Sequence, residues 1–147
     1  MLAGWRTRRV SLHEWADFGR AQVALAAATV ALKLRSRGRL LAYDLKGIDQ
    51  GLPSDKLLRA RELEIALDRA IRYGVFHPKC LARSVALHRL LRRAGIEGSR
   101  IRIGVRSEAT GLSAHAWVTL ADRVLGDDPR FVGRFTEIAD ARMAELS

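Results

Sequence analysis

Several features are scarce in this 147-residue sequence. It contains a single cysteine, Cys80, which excludes an internal disulfide bond. Its most apolar stretch, residues 23–34, is rich in alanine and too short for a bilayer, which needs about 20 apolar residues. No charged segment followed by an apolar stretch and a cleavage site opens the chain. We therefore predict a cytoplasmic protein without stable membrane insertion, in which residues 23–34 form a buried helix.

Acidic residues are also in short supply. The sequence has 16 Asp and Glu against 26 Lys and Arg, a formal net charge of +10 that favours acidic partners such as nucleic acid, an anionic membrane or an acidic peptide. The basic residues are scattered, however, and aromatic residues make up only 6%, so neither a basic tail nor an aromatic platform for bases is present. No nucleic-acid partner is expected. The basic surface has two open interpretations, peptide docking and solubility.

Three stretches are predicted to be helical. A Ser-x-x-Glu capping box that begins at Ser11 starts the first helix, which runs to about residue 37. Residues 54–73 carry apolar side chains at the three-and-four spacing of one helical face and predict a second helix. A third helix follows Pro78 and ends before Gly95. Residues 39–53 are predicted to be a connection.

After Gly95 the apolar residues alternate with polar ones, which indicates strands. Residues 100–105 form the first predicted strand. Residues 114–120 form the second, and a tight turn at 121–123 leads into a third. The tail from Thr136 is predicted to be a short helix. The fold class is therefore α+β, with N-terminal helices packed on a small antiparallel sheet.

Cys80 is the first candidate for chemistry. The start of the third helix places it in the first helical turn, where unpaired N–H groups and the helix dipole favour the nucleophilic thiolate. Taken alone, a free cysteine is more often a small buried hydrophobic residue.

His115 and an aspartate on the returning strand could activate that thiol. Alternation places His115 and Trp117 on one face of the second predicted strand. The hairpin brings Asp127 or Asp128 opposite His115, and because these two point to opposite faces only one can orient the imidazole. A nucleophile at a helix start, a base on a strand and an orienting acid on the next strand are typical of an activated thiol.

The segments CLARSVAL at residues 80–87, IGV at 103–105, AHAWV at 114–118 and GD at 126–127 resemble the lasso peptide biosynthesis B proteins. These are leader peptidases with a papain/transglutaminase-like fold. The resemblance implies that Cys80 is the nucleophile, His115 the base and Asp127 the third member of a catalytic triad, with no cofactor and no metal. The resemblance covers roughly residues 11–135. Because 147 residues is the size of one domain, we predict a single cysteine peptidase domain over residues 1–147, with a helical region at about 11–74 and a catalytic core at about 75–135.

The implied activity is removal of the leader from a ribosomally made precursor peptide. The implied partners are that precursor, with its leader and core, a separate leader-recognition protein and a ring-forming lasso synthetase. A separate recognition protein is expected because the chain shows no room for a recognition module before its first helix. The Cys80 N–H is a candidate oxyanion donor, with His77 as a candidate for the second donor.

Two other functions stay open. The same triad and fold serve transglutaminases and related acyltransferases, which differ in the acceptor of the acyl group. Alternatively, the chain is a non-enzymatic basic adaptor that binds an acidic peptide or nucleic acid and uses Cys80 only for packing.

Overall fold

A computed structural model describes residues 11–34, 51–75 and 77–138. The helices in these ranges are α1 (Leu12–Leu34), α2 (Ser54–Tyr73), α3 (Cys80–Arg93) and the short α4 (Pro129–Val132). The strands are β1 (Arg100–Glu108), β2 (Gly111–Leu120), β3 (Arg123–Leu125) and β4 (Thr136–Glu137). They form one antiparallel sheet in the order β3-β2-β1-β4. The predicted α+β class is confirmed.

The start of α1 is the predicted capping box. The Glu14 N–H donates to Ser11 Oγ at 3.2 Å, and the Ser11 N–H donates to the Glu14 carboxylate at 2.8 Å. The predicted end of this helix near residue 37 and most of the connection at 39–53 lie outside the described residues. The prediction that residues 23–34 form a buried helix is confirmed for one face of the helix only. Leu25 is fully buried, but Val23 is 60% exposed, because a helix on the surface of a core buries only one of its faces.

The main core lies between the helices and one face of the sheet. It contains buried side chains from α1, α2, α3, β1 and β2, among them Leu25, Leu63, Leu87, Ile101 and Val118. Burying a leucine or valine side chain contributes roughly 1.5–3 kcal/mol. This packing fixes the start of α3 relative to β2, and these are the two elements that carry Cys80 and His115.

A smaller aromatic cluster covers the opposite face of the sheet. It consists of Trp117, Val132 and Phe135, so Trp117 and its neighbour Val118 lie on opposite faces of β2, as the alternation predicts. Gly104 of β1 makes room for this cluster. A Cβ atom on Gly104 would lie 2.8 Å from Trp117 and 2.8 Å from Phe135, a distance that no side chain tolerates.

The prediction of a helix from Thr136 is wrong for the described part of the tail. Thr136 and Glu137 form β4, which pairs with Val105 and Gly104 at the edge of β1. The Ile138 N–H continues this pairing by donating to the Ile103 carbonyl at 3.1 Å. The edge of β1 has backbone N–H and C=O groups that can pair with the tail. These hydrogen bonds outweigh the weak helical preference of the tail sequence. Residues 139–147 lie outside the described part.

None of the helices in the described ranges combines the length and apolar character that crossing a membrane requires.

Asp17 joins α1 to α2 as a buried carboxylate. It is only 3% exposed and accepts hydrogen bonds from Arg59 at 2.6 and 2.8 Å and from Arg20 at 2.9 Å. The hydrogen bonds from Arg59, followed by the one from Arg20, hold the pKa of Asp17 below its usual value, against the opposing effect of burial. The ionised form of Asp17 is therefore part of the folded state.

Replacing Asp17 with asparagine is expected to lower the free energy of unfolding at pH 7 by on the order of 3 kcal/mol, because it removes the buried negative charge that accepts two hydrogen bonds from Arg59. Since folding lowers the pKa of Asp17, its contribution is fully present above the unfolded-state pKa of about 4 and is lost as the pH falls through the lower folded-state value. Urea unfolding of both proteins at pH 7 and pH 3 measures this. Asp68→Asn is the control, since Asp68 pairs with Arg72 on the surface and should cost under about 0.5 kcal/mol. If the free energies of unfolding of Asp17→Asn and wild type differed by the same amount at pH 7 and pH 3, the conclusion that folding lowers the pKa of Asp17 would be wrong.

Candidate active site

Cys80 is the first residue of α3. The preceding residue, Lys79, is the N-cap and makes no side-chain capping bond. The Cys80 N–H therefore belongs to the N-terminal N–H groups that have no partner within the helix. The predicted place of Cys80 in the first helical turn is confirmed. Pro78, which signalled the helix start, lies two residues before α3 and not within its first turn.

His115 and Asp127 form a short hydrogen bond. His115 Nε2 lies 2.5 Å from Asp127 Oδ2, and both side chains are largely buried, at 18% and 17% exposure. The other carboxylate oxygen, Oδ1, accepts the Asp128 N–H at 2.9 Å, which fixes the orientation of the carboxylate. Because Asp127 engages Nε2, Nδ1 is the ring nitrogen that this bond leaves for proton exchange.

Gly126 determines which of the two aspartates reaches His115. Continuing the pairing of Val118 with Leu125 would place Asp128 opposite His115. Gly126 has a φ of +73°, however, and ends the strand before that point. The break turns Asp127 towards His115, while Asp128 caps α4 by accepting the Arg130 N–H at 2.8 Å. Strand alternation left this choice open, whereas the family resemblance implied Asp127.

Aromatic rings surround the His115 imidazole. Trp117 stacks on it with centroids 6.2 Å apart, Phe131 approaches edge-on at 5.1 Å, and Phe135 lies at 5.3 Å. These rings pack around the imidazole and restrict its rotation. The sequence indicated Trp117 alone, since α4 and Phe135 arrive from the tail.

The predicted nucleophile, base and acid line one cavity of about 140 Å³. Its other lining residues come from the start of α3, from β2 and from the turn after β3. The structure thus brings Cys80, His115 and Asp127 together at a space open to a ligand. His77, the candidate second oxyanion donor, is exposed and is not among the residues that line this cavity.

Glu64 on α2 holds the turn that carries Asp127, and sequence reasoning missed it. Its Oε1 accepts the Gly126 N–H at 2.8 Å, and its Oε2 pairs with Arg61 at 2.6 Å. The Glu64 side chain is only 11% exposed. Because 62 positions separate Glu64 from Gly126, no local sequence pattern reveals this contact.

Glu64→Ala is expected to slow alkylation of Cys80 by iodoacetamide at pH 6 by roughly tenfold, since the freed turn lets Asp127 and His115 drift from their alignment. Glu64→Gln should retain most of the rate because its amide oxygen still accepts from Gly126. Glu62→Ala is the control, since Glu62 also pairs with an arginine, Arg59, on the same helix. Equal losses in Glu62→Ala and Glu64→Ala would exclude a specific role for the Gly126 contact.

One group of possible metal ligands occurs among the described residues, away from this cavity. His13, Asp17 and Glu62 place ligand atoms within 4.8 Å of one another. The Asp17 carboxylate is already neutralised by Arg59 and Arg20, whose guanidinium groups occupy its oxygens and repel a cation. We therefore assign no metal to this group.

Comparison with known proteins adds the family. A model described as the transglutaminase-like superfamily matches residues 23–140, a span that includes Cys80, His115 and Asp127. This chain belongs to the transglutaminase-like superfamily. Comparisons with curated proteins and with solved structures gave no match. Membership confirms the predicted transglutaminase-like fold and is compatible with a cysteine peptidase or an acyltransferase.

Proposed function

We propose that this transglutaminase-like protein is a cysteine peptidase that removes the leader from a lasso peptide precursor. The observation that carries the enzymatic part is the His115–Asp127 hydrogen bond at a cavity that Cys80 also lines. The lasso assignment draws its support from the CLARSVAL and AHAWV segments, which supply Cys80 and His115. We place the reaction in the cytoplasm, with a separate leader-recognition protein and a ring-forming synthetase as partners.

In the proposed acylation step the Cys80 thiolate attacks the carbonyl carbon at the junction of leader and core. The new S–C bond generates an oxyanion, for which the Cys80 N–H at the start of α3 is a donor. His115, which has taken up the thiol proton, protonates the departing amine of the core as the C–N bond breaks. Asp127 keeps Nε2 engaged, so that Nδ1 performs the proton transfer.

In the proposed deacylation step water attacks the leader thioester. His115 removes a proton from the water, the C–S bond breaks, and the leader departs as a carboxylic acid. The aromatic rings around His115 keep the imidazole aligned through both steps.

Cleavage in H₂¹⁸O tests this function. A lasso precursor is incubated with the chain and a leader-recognition protein, and the products are examined by mass spectrometry. The expected result is a free core amine and a leader whose new carboxylate contains one ¹⁸O atom from the solvent. Cys80→Ala should give no product, and unchanged cleavage by this variant would overturn the proposal.

An acyltransferase is the second candidate, because family membership fits it equally well. Adding a primary amine such as glycine methyl ester to the same assay distinguishes the two. A leader amide without ¹⁸O would identify amine transfer as the preferred reaction. Salt-sensitive binding of the precursor that is unaffected by Cys80→Ala, without any covalent product, would instead support a non-enzymatic adaptor.

A further inference from the structure

Arg83 lies one helical turn after Cys80 on α3 and has no role in the proposed reaction. Residues three apart on a helix share a face, so its side chain leaves α3 on the side of the Cys80 thiol. Arg83 lines the same cavity as Cys80, His115 and Asp127. The guanidinium passes close to the turn after β3, since a Cβ atom on Gly126 would lie 3.9 Å from Arg83 Nε and 3.9 Å from Nη2.

The Arg83 Nε is buried and has no hydrogen-bond partner among the described residues. No carboxylate in the described ranges forms an ion pair with Arg83, although Asp127 lines the same cavity. The neighbouring arginines differ in this respect, since Arg61 pairs with Glu64 and Arg72 pairs with Asp68. A buried N–H donor without an acceptor destabilises the folded protein, and an acceptor supplied by a ligand would remove that penalty.

Arg83 also lies where two cavities meet. A second cavity of about 410 Å³ shares Arg83, Gly126 and Asp127 with the first. A peptide that runs from Cys80 into the second cavity would pass Arg83. The planar guanidinium is suited to binding a carboxylate through two parallel hydrogen bonds, and a neutral carbonyl would satisfy only one.

We propose that Arg83 is a specificity-determining residue that binds a carboxylate of the substrate next to the reacting bond. The inference rests on the proposed peptidase function and narrows its substrate class to peptides with an acidic side chain close to the cleaved bond. The carboxylate supplies the acceptor for Nε and balances the positive charge of Arg83. No further residue or cofactor is required.

Two alkylating reagents of similar size test this without a peptide. Iodoacetate carries a carboxylate, and iodoacetamide carries a neutral amide in its place. With either reagent the Cys80 thiolate attacks the CH₂ carbon, an S–C bond forms, and iodide leaves with the electron pair of the C–I bond. Cys80 is the only cysteine, so the rate of thiol loss reports on this site alone.

The measured quantity is the ratio of the iodoacetate rate to the iodoacetamide rate, compared with the same ratio for the chain unfolded in urea. The folded protein is expected to show a ratio about tenfold higher, with an iodoacetate rate that saturates with concentration. Arg83→Gln should return the ratio to the unfolded value, and the ratio cancels any change in thiolate reactivity that the two reagents share. Arg83→Lys should keep part of the preference, because it retains the charge but not the planar pair of donors.

Arg130→Gln is the matched control, because it removes the same charge from an exposed side chain near the site. If the ratio fell equally in Arg130→Gln and Arg83→Gln, the preference for iodoacetate would come from the general positive potential of the protein, and the proposal would be overturned. A wild-type ratio no higher than that of the unfolded chain would overturn it as well, whatever the folding of any variant. The peptidase proposal fails separately, if Cys80→Ala still cleaves the precursor.

Discussion

Alkylation of Cys80 by iodoacetamide at pH 6 is expected to fall by up to roughly a hundredfold when His115 is replaced with alanine. An unassisted cysteine thiol is only about 0.3% ionised at this pH, so a fast reaction requires a neighbour that takes up the proton. In the proposed reaction His115 takes up that proton. Its Nε2 bonds Asp127 at 2.5 Å, and the ring lines the same cavity as Cys80. The rate measured from pH 5 to 9 gives the effect directly.

The difference between the two proteins has a predicted dependence on pH. It should shrink as the pH rises towards 9, because alkylation of a thiol near that pH no longer depends on a neighbouring base. His13→Gln is the control, since His13 is exposed on α1 and remote from the cavity. Its profile should match that of the wild type. Profiles for His115→Ala and wild type that coincide at pH 6 would remove the basis for an activated thiol.

Replacing Asp127 with asparagine is expected to slow precursor cleavage by roughly a thousandfold or more. The amide can donate to Nε2, which stabilises the wrong imidazole tautomer and leaves the protonated ring without a charged partner. The fold should survive, since asparagine has nearly the same shape and can keep its oxygen on the Asp128 N–H. The measurement is the initial rate of core release, with thermal unfolding followed alongside.

Asp128→Asn is the matched comparison for Asp127→Asn. Asp128 is adjacent and carries the same charge, but it bonds the backbone of α4 and not His115. Asparagine caps helices as well as aspartate does, so both stability and the iodoacetamide rate at Cys80 should change little. If Asp128→Asn proved the more damaging of the two, the assignment of Asp127 as the orienting acid would be wrong.

The candidate site was predictable to the extent that its members lie in regular local patterns. Pro78, just before the helix, indicated that Cys80 lies at a helix start. The alternation of residues along β2 predicted that His115 and Trp117 share one face of the strand. A hairpin with a tight turn at residues 121–123 was also predictable. Ala121 and Asp122 adopt the positive φ values of +47° and +60° that such a turn needs. Each of these features depends on residues within a few positions of one another.

The sequence by itself determined the helix starts, the strand periods and the order of nucleophile, base and acid. Only the tertiary structure decided the contacts between distant segments. Glu64 holds Gly126 across 62 positions, β4 replaces the expected tail helix at the edge of β1, and the break at Gly126 selects Asp127 over Asp128. The physical reason is that dihedral preference and periodicity act over a few residues, whereas hydrogen bonds and packing between elements depend on how the whole chain folds.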